Sequence, residues 1–173
     1  MWTYEKKLQF PVKIKNPNPK LAQVIISQLG GPDGELAASM RYLHQRYAMP
    51  YDEIKGILTD VGTEELAHLE MVAAILHQLT RNLSEEEIKN SPFATYFVDH
   101  TAGVYPVAAS GVPFDMKYVG VKGDVFTDLN EDLAADAAII KEQPLREKSR
   151  KPLKYKAFSH LGKTPGNRIP AII

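Results

Sequence analysis

The sequence predicts an all-α protein, a bundle of long helices around one core. Three segments carry that expectation. From Asp52 to Arg81, the residues Ile54, Ile57, Leu58, Val61, Val72, Ile75, Leu76 and Leu79 recur at spacings of three and four. That is the period of a helix with one apolar face. Glu35 to Tyr47 is built largely from strong helix formers. Leu129, Leu133, Asp136 and Ile140 form a third stripe at spacings of four, three and four, which Pro144 ends.

The 173 residues suffice for one domain with a real core, and the chain is 44% hydrophobic and 24% charged, as in ordinary soluble globular proteins. Its formal net charge of +0 argues against a general nucleic-acid or membrane binder, and neither partner is expected. The average hides an asymmetry. From Lys141 onward nine Lys or Arg face two Glu, so an acidic body precedes a basic tail. The absence of cysteine excludes disulfides, zinc–thiolate sites and iron–sulfur clusters. No apolar run approaches the roughly 20 residues of a membrane helix. Met1 to Lys7 has no signal-peptide core, so a cytoplasmic origin is expected.

In chain order, residues 1–19 read as an extended arm. Leu8, Phe10, Val12 and Ile14 alternate, and Pro11, Pro17 and Pro19 forbid a helix there. A helical pattern then runs from about Lys20 to Ala48. Gly30-Gly-Pro-Asp-Gly34 should break or kink it. Met49-Pro50-Tyr51 is a short connection, which makes the helices on either side antiparallel neighbours. Gly62, in mid-helix, suggests close approach of a neighbouring helix. Ser84-Glu-Glu-Glu87 reads as a capping box opening a short helix. Residues 91–123, rich in Gly, Pro and aromatics, read as a long crossover between helix pairs. Thr127 or Asp128 is the expected cap of the third helix. The body is placed at 1–140, and the basic, Pro-punctuated 141–173 is expected to be a disordered tail.

Glu65 and His68 stand three apart on the apolar face of the long helix. A carboxylate and an imidazole turned into a core need a reason, because an unpaired buried charge is very costly. Glu-x-x-His on a bundle helix most often binds metal. Glu35 continues the Leu21, Val24, Ile25 stripe if the first helix is continuous, although a Glu after a helix break is also simply favoured by the helix dipole. Tyr42 shares its face. Asp136 is a third acid on an apolar stripe. Glu64 and Glu70 are expected to point to solvent, and His44 and His77 to lie at the surface. Asp99-His100 and His160 fall outside the ligand spacing. Glu35, Glu65, His68 and Asp136 together suit manganese or iron in a dinuclear carboxylate site.

Met1-Trp-Thr-Tyr-Glu-Lys-Lys-Leu-Gln-Phe-Pro11, Gly30-Gly-Pro-Asp-Gly-Glu-Leu-Ala-Ala38, Thr59-Asp-Val-Gly-Thr-Glu-Glu-Leu-Ala-His-Leu-Glu-Met71 and Gly123-Asp-Val-Phe-Thr-Asp-Leu-Asn-Glu-Asp-Leu-Ala-Ala135 resemble the manganese catalase family, in particular its spore-coat, CotJC-type branch. The resemblance implies a ferritin-like four-helix bundle that disproportionates hydrogen peroxide at a dimanganese centre. It implies homo-oligomers and, for the spore-coat branch, other coat proteins as partners. Glu35 matches the first-helix ligand, Glu65 the bridging carboxylate, His68 the imidazole beside it, and Tyr42 a tyrosine behind the ligands. Asp136 stands where the family has a Glu. The family's fourth helix, with an Arg-Glu-x-x-x-His-like pattern, has no counterpart in 137–173. A shifted reading frame or a truncation near Ala138 is the expected cause, and translating the coding DNA in its other two frames tests it. Low or absent catalase activity follows for the chain as written. The alternatives are a structural coat component without turnover and a di-iron oxidase.

Overall fold

In the computed structural model the described residues are 3–97 and 103–142, the side chains of 136–142 excepted. Among the described residues five α-helices follow in order: α1 Pro19–Gly30, α2 Glu35–Gln45, α3 Asp52–Thr80, α4 Glu85–Lys89 and α5 Val125–Glu142. Among the described residues of the crossover, Ala94–Tyr96 and Met116–Tyr118 are single 3-10 turns. Two isolated antiparallel bridges, Phe97 to Val104 and Val107 to Pro113, are the only β pairings among the described residues. The all-α expectation holds.

Local chemistry fixes the ends. Asn18 caps α1, its side chain accepting from Leu21 N at 3.0 Å, and Pro19 takes the first helical position, where its missing N–H does no harm. The glycine-rich break separates α1 from α2 completely, so the two are distinct helices. The inward face of α1 is Ala22, Ile25 and Ile26 rather than Leu21, Val24 and Ile25, and Val24 is exposed. Ser84 and Glu87 form the expected capping box. α5 begins earlier than expected. The Asp124 side chain accepts from Thr127 N at 2.9 Å and from Thr127 Oγ1 at 2.8 Å, so Asp124, not Thr127 or Asp128, serves its first turn.

α3 is the central rod. Ser39 of α2 bonds to Gly62 and Arg46 to Thr59, so α2 runs antiparallel to α3. A Cβ at Gly62 would stand 2.9 Å from Leu43 Cγ and 3.2 Å from Tyr42 Cβ, which explains a glycine in mid-helix. Ala22, Ile25 and Ile26 of α1 pack with Val72, Leu76 and Leu79 of α3 and with Phe93, Tyr96 and Val107 of the crossover. Phe93 meets Tyr96 and Phe97 with ring centroids 5.0 and 5.3 Å apart.

The crossover is held by main chain as well as by side chains. Ala109 N donates to Ser27 Oγ at 2.8 Å, and the Tyr96 hydroxyl donates to the Ala109 carbonyl. Gly30 lets it approach α1, since a Cβ there would sit 2.1 Å from the Pro106 carbonyl carbon. The arm lies along α3. Gln78 Nε2 donates to Val12 O, Gln78 Oε1 accepts from Ile14 N, and Arg81 Nη2 donates to Ile14 O. Leu8, Val12 and Ile14 are half-buried, but Phe10 turns out to solvent.

On α5 the described part of the expected stripe is not the most buried face, Leu129 being half-buried. Leu133 is 41% exposed, whereas Asp128, Asp132 and Ala135 are buried. The expectations for Asp99-His100, His160 and the tail from 143 onward lie outside the described residues.

Candidate metal centre

The α2–α3 contact at Gly62 sets the site. Glu35, Ser39 and Tyr42 repeat at four and three along α2, and so present one face. Ser39 Oγ donates to the Gly62 carbonyl at 2.7 Å and docks that face on α3, less than one turn from Glu65. Glu35, Glu65 and His68 are consequently buried at 5%, 1% and 6% exposure, and one donor atom from each lies within 4.8 Å of the others. Tyr42, two turns along α2 from Glu35, is fully buried where α2 meets Gly62.

His68 Nδ1 lies 2.6 Å from Glu65 Oε2. Its Nε2 is buried without a hydrogen bond and stands 3.8 Å from Glu64 Oε1. Burial pulls the imidazole pKa down. The hydrogen bond to Glu65 and the charges of Glu65, Glu35 and Glu64 outweigh burial and hold His68 above its ordinary value. Two carboxylates within reach of one imidazole, all sealed in a core, collect negative charge where water cannot screen it. A divalent cation is the natural complement, and oxygen donors with one imidazole suit manganese or iron. The donor set therefore fits the metal that the sequence motifs imply.

The structure brings together Glu35, Glu65 and His68 from α2 and α3. Asp136 falls in α5, but its side chain is outside the described residues. Four acids have partners that the sequence did not show. Asp132 is buried and accepts from Gln45 Nε2 at 3.0 Å. Asp128, also buried, accepts from Lys122 N at 2.8 Å and Gly123 N at 3.1 Å. Their spacing of four and three with Ala135 was the available signal; the apolar residues alone pointed to a neighbouring face, about a quarter-turn round the helix. Glu64 and Glu70, expected in solvent, are partly exposed and are also tied to the arm. Gln9 Nε2 donates to Glu64 Oε1 at 2.8 Å and the Tyr4 hydroxyl donates to Glu70 Oε1 at 2.9 Å.

A helical bundle with a buried carboxylate–histidine cluster defines a class, the metal-centred carboxylate bundles. Within it, residues 1–152 match the family "manganese containing catalase", and the chain belongs to that family. The match extends past Ala135, where the last recognisable motif ends. The chain is 49% identical over 136 residues to protein CotJC of Bacillus subtilis (strain 168), covering 79% of this chain and 71% of that one. It is 33% identical over 151 residues to a probable manganese catalase of Clostridium acetobutylicum, covering 85% of this chain and 67% of that one. The crystal structure of wild-type KatB, a manganese catalase from Anabaena, superposes with a TM-score of 0.74 at 30% identity, over 93% of this chain and 73% of that one. The fold is thus the ferritin-like one of this family. Among the described residues no helix is long and apolar enough to cross a membrane.

Proposed function

We propose that this chain binds manganese through Glu35, Glu65 and His68 and acts on hydrogen peroxide, converting two molecules to two of water and one of oxygen. The observation that carries the reading is the buried convergence of these donors within 4.8 Å in a member of the manganese catalase family. Asp136 is the proposed further ligand from α5, and Tyr42 supports the ligands from behind. Bound manganese supplies the reversible electron acceptor that disproportionation needs. The chain's own residues do the rest. Glu35 and Glu65 bring the charge that retains a divalent cation. His68 adds a neutral donor once its Nδ1 proton is lost. The surrounding core excludes bulk water and strengthens every charge interaction at the site.

The dinuclear form is part of the proposal, with the second ion held less firmly. Glu35, Glu65 and His68 are the donors that the described residues bring together, and two ions need more. Slow turnover is expected for that reason. The similarity to CotJC favours a second reading, in which the protein leaves the cytoplasm for a spore coat and the bundle matters more than the rate. Homo-oligomerisation belongs to the same proposal. Oxygen evolution from peroxide by the manganese-loaded chain tests the first reading. A slow, manganese-dependent rate that Glu65→Ala abolishes is expected. A rate that persists in Glu65→Ala overturns the site assignment, and iron in place of manganese in the isolated protein points to an oxidase instead.

A further inference from the structure

His68 uses one face of its ring for the carboxylates and leaves the other inside the protein. Nδ1 faces Glu65 at 2.6 Å, so it is the nitrogen turned to the donor cluster. A ring nitrogen that gives its lone pair to a metal leaves the hydrogen on the other nitrogen. That other nitrogen, Nε2, is buried and makes no hydrogen bond. The group that stands opposite it is Glu64 Oε1, at 3.8 Å, too long for a hydrogen bond but within ion-pair range.

Glu64 is neither a core residue nor a free surface acid. Its side chain is 37% exposed, at the rim of the site. The oxygen nearest His68 is also the one that Gln9 of the N-terminal arm holds at 2.8 Å. A single carboxylate oxygen thus stands between the arm, which holds it by a hydrogen bond, and the outer nitrogen of the imidazole, which it faces at ion-pair range. Metal-binding histidines almost always donate their second N–H to such an acceptor, which fixes both tautomer and ring orientation.

We propose that Glu64 is a positioning residue for His68, and that Gln9 of the arm holds it in place, so that the arm contributes to metal affinity. This rests on the assignment of Glu35, Glu65 and His68 as manganese ligands. In the metal-bound state so proposed, His68 Nε2–H donates to the oxygen at position 64, so an amide oxygen there should serve nearly as well as a carboxylate oxygen. The arm contributes because exposed acids on a helix are otherwise free to sample many rotamers.

The test is titration of the full, metal-free chain with Mn(II), free ion being read by electron paramagnetic resonance. Circular dichroism confirms that each variant is folded. Glu64→Ala should weaken binding about tenfold or more. Glu64→Gln should restore most of the affinity, and Gln9→Ala, on an exposed strand of arm that the core does not need, should weaken it in the same direction by less. Glu64→Ala binding as tightly as the unaltered chain, or Glu64→Gln losing as much as Glu64→Ala, overturns the proposal. If Glu64→Ala does not fold, Gln9→Ala decides: unchanged affinity there overturns it. Failure of the unaltered chain to bind Mn(II) removes instead the ligand assignment beneath it.

Discussion

At the scale of single residues, Glu65 and His68 define the chemistry because they share one buried face of α3 and Glu35 meets them from α2. Without metal, the imidazole is the cluster's nearest positive counterpart, and its pKa is raised although burial opposes this. The sign of the consequence is fixed. A folded-state pKa above the unfolded value, about 6.5, adds stability that is complete below that pH and fades as pH rises through the raised value. Manganese needs the nitrogen free of its proton, so its uptake strengthens across the same window. Urea melts of the metal-free chain should therefore show a midpoint that falls from mildly acidic to alkaline pH, more steeply than in His68→Gln. A slope unchanged by His68→Gln contradicts this account of the cluster.

At the scale of elements, the site exists because helices approach closely at chosen glycines. Gly62 admits Tyr42 and Leu43 of α2, and Gly30 admits the main chain of the crossover at Pro106 and Val107. The second contact is with backbone, which cannot rotate away. Gly30→Ala should destabilise the protein by about 3 kcal/mol, the upper range for overpacking. Gly56, in α3, is the control, since a Cβ there would meet nothing within 4 Å. Gly56→Ala should stabilise by about 0.5–1 kcal/mol, the helix-propensity gain. Denaturant melts of the two variants check the opposite signs, and equal effects would contradict the packing described.

The element scale also shows what the sequence could convey. Ile54 to Leu79 was legible because a long apolar period has few alternative readings. So was the capping box at Ser84, whose partners are local. α5 was legible as a helix but not in its orientation. Its apolar residues suggested Leu133 inward, whereas Asp128 and Asp132 turn in because Gln45 and the Lys122–Gly123 backbone supply partners from elsewhere in the chain. The tie of Glu64 to the arm was not legible for the same reason. Its partner Gln9 lies far away in sequence, and nothing in a helical period reports an arm that folds back.

At the scale of the whole molecule, α1 and α2 pack on α3, α5 joins α2, and the crossover closes over α1. This is the ferritin-like scaffold of the manganese catalase family, and the family's motifs stand at its site. Glu65 and His68 were legible as inward residues, since their spacing and the apolar face of one helix agreed; Glu35 was named on a stripe carried over from α1, which the break before α2 interrupts. The convergence of the three was not legible, because it depends on the docking of Ser39 against Gly62. The central claim is that this convergence is a manganese site. Elemental analysis of the full chain, loaded with Mn(II) and dialysed, tests it most directly. Retained manganese that disappears in Glu65→Ala, while the helical content stays the same, is the predicted result; equal retention by Glu65→Ala and the unaltered chain would contradict it.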